Sequence, residues 1–205
     1  MKKLFLTLIL LCGAVQLLPA QRMRDLFMSA PGEVMPLLGD VARADCIDYL
    51  DAGMEANVIN AMWGKSSLKK LTDDYFLLQT TPSSSVQAKL LPFGADSLIC
   101  VVKSVKAEAV DSHIAFYDLE WNRLEGEAFF DAPRIKDFFI SPDSARVYEK
   151  RCDIYLVSLE LSSDGDTLVA EYTMPDYMNI DDAEAVRPLL GRAVYRWNGR
   201  RFEKE

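Results

Sequence analysis

Leu98-Ile99-Cys100-Val101-Val102 decides the fold, because both of its alternating sets of side chains are apolar. A strand with one wet face alternates polar and apolar residues, whereas a strand covered on each face is apolar throughout. The stretch 98–105 is therefore read as a central strand, and Cys100 within it serves as a small apolar residue. Its neighbours in sequence are extended as well. Val86 to Leu91 precedes it across Pro92-Phe93-Gly94-Ala95-Asp96, and Ile114 to Leu119 follows, ending at a turn around Trp121-Asn122. Further upstream, Val58-Ile59, Leu68 to Leu71 and Tyr75 to Thr80 read as strands, with Pro82-Ser83-Ser84-Ser85 as a turn or loop. Connections this short favour antiparallel neighbours.

Ahead of the strands the period is helical. Ala42, Cys46, Leu50 and Met54 fall on one arc with Ile47 and Tyr49, while Asp45, Asp48 and Asp51 take the opposite arc. Asp40 is positioned to cap the first turn, and Gly53 ends the helix. Arg43 is the misfit on the apolar arc, and a charge there needs a partner. The expected solution is a structural ion pair with Asp48. A shorter helix is predicted over 22–28, stopped near Pro31. Downstream, the stretch 131–150 is weakly patterned, with Pro133 and Pro142 each suited to a first helical position. Two hairpins are clearer. Ile154 to Leu161 and Thr167 to Met174 flank Ser163-Asp164-Gly165, and Ala193 to Trp197 and Arg201 to Glu203 flank Asn198-Gly199, a type I′ sequence. Asn179-Ile180-Asp181-Asp182 opens a short helix limited by Pro188. The fold class is α+β: N-terminal helices packed on a curved, mostly antiparallel sheet of about seven to nine strands, forming a single domain over 21–205.

Residues 1–20 read as an export signal: Met1-Lys2-Lys3, an apolar run from Leu4 to Leu11, then Leu18-Pro19-Ala20 before Gln21. Leu11 before Cys12 is too large for a lipid-anchor signal, so a periplasmic or secreted product is expected. The chain carries a net charge of −8, and removing Lys2 and Lys3 takes it to −10. An acidic chain without a basic run is a poor partner for nucleic acid. No second stretch has the roughly 18 apolar residues of a transmembrane helix. Cys46, Cys100 and Cys152 are an odd set at wide spacings that match no zinc pattern, and three buried reduced thiols are expected, a single disulfide being the alternative.

The order of motifs adds a further expectation. Arg43-Ala44-Asp45-Cys46-Ile47-Asp48-Tyr49, Asn60 with Gly64, Leu71-Thr72-Asp73-Asp74-Tyr75, Lys89-Leu90-Leu91-Pro92 and Asp111-Ser112-His113-Ile114-Ala115-Phe116-Tyr117 before Trp121 follow one another. In this order they resemble an uncharacterised family of exported proteins, a domain of unknown function, from gut-type anaerobic Gram-negative bacteria. The resemblance implies export and a mixed helix–sheet fold, and it brings no activity, cofactor or catalytic residue.

The reactive side chains are sparse. His113 is the sole histidine, and no HExxH, paired CxxC or EF-hand loop is present, so no metal or cofactor is expected. In Asp111-Ser112-His113, strand neighbours point to opposite faces, which separates Ser112 from His113. Asp45, Asp48 and Asp51 share one solvated face and lack the split environment of an acid/base pair. Asp164-Gly165-Asp166 offers two carboxylates where calcium takes roughly six to eight oxygens. No catalytic residue is assigned. Trp63, Trp121 and Trp197 each sit beside a turn residue, where an aromatic either caps a sheet end or lines a shallow binding surface; with Tyr75 they are the candidate ligand-binding residues. The reading is an exported, non-enzymatic binding protein of the cell envelope with a protein or glycan partner. A small periplasmic hydrolase using carboxylates and an envelope assembly or folding factor stay open beside it.

Overall fold

The computed structural model describes residues 19–148 and 152–205, so that residues 1–18 of the predicted export signal lie outside the described residues. The strands β1 (Ala56–Ile59), β2 (Lys65–Leu71), β3 (Tyr75–Thr81), β4 (Ser84–Phe93), β5 (Asp96–Lys106), β6 (Val110–Tyr117) and β7 (Arg123–Leu124) form one meander, each paired antiparallel with the next. Short turns explain this order: the β4–β5 connection closes over Gly94, whose φ of 63° suits a residue without Cβ.

β5 behaves as its sequence requires. Leu98, Cys100 and Val102 enter one core, while Ile99 and Val101 enter another on the opposite face. The second of these cores is roofed by α1 (Pro19–Ser29), α2 (Asp40–Asp51) and the loop between them, with Phe27 set edge-on to Phe76 at 5.2 Å. The first is closed by a second sheet rather than by more strands of the same one. β8 (Val157–Leu161), β9 (Thr167–Tyr172), β10 (Ala193–Trp197) and β11 (Phe202–Lys204) stack across it in the order β11-β10-β9-β8. The two helices α3 (Pro142–Tyr148) and α4 (Ile180–Val186) lie in the connections of this layer. The result is three layers: helices, seven strands, four strands.

The separation of the sheets has a local cause. The outward amides of β8, at Val157, Leu159 and Leu161, donate to Asp111 Oδ1 (3.4 Å), Ser112 Oγ (3.0 Å) and Gln87 Oε1 (2.9 Å). Side chains of the first sheet take the place of a neighbouring backbone, so the second sheet ends there and packs face to face.

Several local expectations are corrected. The Asn198-Gly199 connection is not a type I′ turn: Gly199 takes a φ of 91°, and Asn198 instead accepts the amides of Arg200 (2.8 Å) and Arg201 (2.9 Å) on its side chain. Asp40 is the first helical residue, the cap being Gly39 without a side-chain bond. Pro142 starts a helix and Pro133 does not. Cys46, Cys100 and Cys152 are buried thiols that are not joined in a disulfide.

Arg43 does not pair with Asp48. Five residues on, Asp48 lies about 140° around the helix and faces water. The Arg43 guanidinium donates instead to the carbonyls of Leu38 (2.9 Å), Met28 (2.9 Å) and Ala30 (2.6 Å). Burial lowers its pKa, opposed by the charge of Asp40. One planar fork thus ties the end of α1 and both ends of the connecting loop to α2. A lysine has the charge without the fork. Arg43→Lys should lower the unfolding free energy by about 2 kcal/mol, read from the urea midpoint; an unchanged midpoint would show that the fork is not what holds the loop.

Candidate protein-interaction surface

Two five-residue connections share one design. In Asn60-Ala61-Met62-Trp63-Gly64, joining β1 to β2, Asn60 Oδ1 accepts the amides of Met62 and Gly64 at 3.0 Å each. The Trp63 amide donates to the Asn60 carbonyl, and the Asn60 amide to that of Gly64, both at 2.9 Å. In Asp118-Leu119-Glu120-Trp121-Asn122, joining β6 to β7, Asp118 Oδ1 accepts from Glu120 (3.0 Å) and Asn122 (2.8 Å), and the two backbone bonds recur at 3.1 and 3.0 Å. An Asx side chain nucleates each turn. The fourth position then falls in the left-handed region, where glycine is usual. Here it is tryptophan twice, with φ of 61° at Trp63 and 64° at Trp121.

The two tryptophans differ in what surrounds them. Trp121 stacks edge-on with Tyr117 at 5.5 Å and donates Nε1 to Ser29 Oγ at 3.3 Å, so it closes the seam between α1 and the sheet. Trp63 is 90% exposed. Its anchor is nonetheless rigid: Asn60 is buried and donates Nδ2 to Ser66 Oγ (3.1 Å) and the Thr80 carbonyl (3.2 Å). A Cβ at Gly64 would crowd this anchor, meeting Asn60 Nδ2 at 3.3 Å.

Beside this loop a groove of about 740 Å³ runs between α2 and the outer edge of β1. Val41 from the helix and Ile59 from the strand line it, at 78% and 62% exposure, and Met62 next to Trp63 is 74% exposed. Its ionisable side chains are Asp40, Asp45 and Tyr49. Val41 and Ile59 in the groove, and Met62 and Trp63 in the loop that adjoins it, are four exposed large apolar side chains in this region, and exposed apolar area of this kind is where interaction is sought.

The other candidates lie elsewhere. Trp197 is buried and donates Nε1 to the Pro92 carbonyl at 2.7 Å, amid Phe129 and Phe202. Tyr75 is buried between the sheets with its hydroxyl 3.4 Å from Gln87 Oε1, and burial pushes the phenol up to about 12. Neither reaches a surface where a ligand docks. In a meander the turns alternate ends, so the Trp63 and Trp121 loops sit at diagonal corners of the sheet. His113 is exposed with Nε2 3.4 Å from the Arg123 guanidinium, while Ser112 Oγ bonds Ser104 on the other face at 2.8 Å. Among the described residues no three His, Cys, Asp or Glu side chains group as a metal site would require, and no helix is long and apolar enough to cross a membrane. Sequence reading missed Asn60 and Asp118 as anchors, although the shared Asx-x-x-Trp spacing was present.

A family model described as "Protein of unknown function (DUF3256)" matches residues 15–202. The chain is also similar to the solved structure of a domain of an uncharacterized protein from Porphyromonas gingivalis W83, with a TM-score of 0.78 and 26% identity over 90% of this chain and 99% of that one. Among curated proteins, none matches.

Left-handed backbone at Trp63 should be visible in stability. Trp63→Gly is expected to be more stable than Trp63→Ala by about 1 kcal/mol, because alanine keeps the strain and glycine removes it. Thermal unfolding of the two variants side by side checks this, and equal melting temperatures would refute the strain.

Proposed function

The chain belongs to the protein family of unknown function DUF3256, and we propose that within it this molecule is an exported, non-enzymatic binding protein of the cell envelope that grips a protein partner through the Trp63 loop. The carrying observation is the contrast between the paired loops. Both hold tryptophan where the backbone costs an L-residue about 1–2 kcal/mol. At position 121 the ring offsets that cost by packing against Tyr117 and α1. At position 63 the ring stands in water, with Met62 beside it in the loop and Ile59 at the end of β1 also exposed. Strain kept without an internal return is a mark of a functional position. A tryptophan on a rigid turn, with an exposed methionine before it, is the composition of a binding hot spot.

Protein suits this surface better than glycan. Aliphatic neighbours and a concavity favour burying apolar side chains, whereas sugar sites pair aromatic faces with many polar side chains. The export part of the reading rests on Met1-Lys2-Lys3 and the apolar run that follows.

The test is capture from an envelope extract on immobilised protein, followed by affinity measured on the identified partner. Trp63→Ala should weaken binding by about 30-fold, as truncation of a central tryptophan does. Trp121→Ala, at the diagonal corner, should leave that affinity unchanged at temperatures where the variant is folded. Undiminished binding by Trp63→Ala would remove the reading.

A further inference from the structure

We infer that the occupant of the groove is an extended peptide segment with alternating basic and apolar residues, which adds to β1 as a further strand beneath α2. This rests on the reading of the same surface as a protein-binding one, and names the class of partner. The backbone comes first. The bond from the Asn60 amide to the Gly64 carbonyl sets the phase of the β1–β2 ladder, so Val58 and Ala56 face β2 with their N–H and C=O groups. Asn57 and Ile59 then direct theirs away from the sheet; the Asn57 amide is given to the Glu55 carbonyl at 2.9 Å, which leaves the Ile59 amide and the carbonyls of both residues facing the groove. The next odd position shows the edge already in use: the Ala61 amide donates outward to the Leu37 carbonyl at 3.0 Å. An incoming strand continues that line past Ile59.

The remaining sheet edges offer no such place. β8 is sealed by Asp111, Ser112 and Gln87, β7 has two residues, and β11 has three, with the Phe202 amide already given to the Phe129 carbonyl at 2.8 Å. Among the described residues, β1 combines the outward Ile59 amide and the outward carbonyls of Asn57 and Ile59 with a lined trough, the arrangement in which main-chain bonds supply affinity and alternate side chains supply specificity.

Charge selects the occupant. The carboxylates of Asp40 and Asp45 line the trough with no cation among the lining residues. Lysine or arginine at alternate positions of the incoming strand would meet them on the α2 side, with the apolar side chains between them on the opposite face beside Ile59, which points away from Ala56 and Val58. A second copy of this chain would bring two more acids to the same place and a net charge of −8 on each partner, which opposes pairing of like edges.

The experiment is calorimetric titration of the full protein with an alternating lysine–valine hexapeptide, its glutamate–valine counterpart, and two lysine–valine versions N-methylated at the odd or the even amides. The lysine–valine peptide should bind, and the glutamate version should bind at least about tenfold more weakly. N-methylation of one register should weaken binding about tenfold while the other register is tolerated, since an edge strand bonds every second amide. Ile59→Pro, which removes the outward amide, should weaken the unmodified peptide similarly, and the N-methyl pair carries the test should that variant not fold. No binding by the lysine peptide, equal binding by the glutamate peptide, or indifference to both methylation patterns overturns the proposal. So does a dimer in sedimentation that Ile59→Pro dissolves, which assigns the edge to a second copy. A partner captured through Trp63 whose affinity ignores Ile59→Pro also overturns strand addition, yet leaves the protein-binding reading standing; the converse loss at Trp63 alone separates the two.

Discussion

Two-sided burial of β5 is the constraint on which the molecule is built. Its apolar residues belong alternately to the helix-side core and to the core between the sheets. A strand apolar on both faces does not fix its own register, because a slip of one residue exchanges one apolar set for the other. The neighbouring strand resolves this. In β4, Ala88 and Leu90 face the helices while Gln87 and Lys89 face the second sheet, and both polar side chains are buried. Gln87 accepts the amide of Leu161, and Lys89 pairs with Asp74 at 2.8 Å and reaches the Ser163 carbonyl at 3.4 Å. Displaced by one residue, both would enter the apolar helix-side core unpartnered, at a cost of several kcal/mol. Polar groups thus specify the register that apolar ones stabilise.

That division explains what was legible in the sequence. Period and turn chemistry are local, so the strands from β1 to β6, α2 and its termination at Gly53, and the Asn179 cap were within reach. Whether the C-terminal hairpins extend the first sheet or stack upon it depends on Asp111, Ser112 and Gln87 meeting amides about 46 to 74 residues away in sequence. No pattern in a single sequence marks such meetings. Arg43 is a similar case. Its need for partners was visible in its place on the apolar arc, but the partners are backbone carbonyls, which every residue carries.

The surface shows the same limit. Tryptophan beside a turn residue is readable, and all three were found that way. What distinguishes them is the third dimension: Trp197 points into the core, Trp121 caps a helix–sheet seam, and Trp63 meets solvent. The groove was illegible because one wall is the edge of a strand, and being at an edge is a property of the sheet rather than of Ala56–Ile59. Tyr75 misled because aromatic residues in half-buried strands look alike whichever side is covered.

The side-chain seal on β8 has a consequence for assembly. Strand-exchanging proteins grow into fibrils when each copy both offers an acceptor and remains an acceptor after joining. Here the sheet that offers β1 ends at its other edge in β7, only two residues long, and the second sheet ends in β8, whose outward amides Asp111, Ser112 and Gln87 already hold. A strand added at β1 would find at neither of these edges a long open ladder from which a further copy could continue.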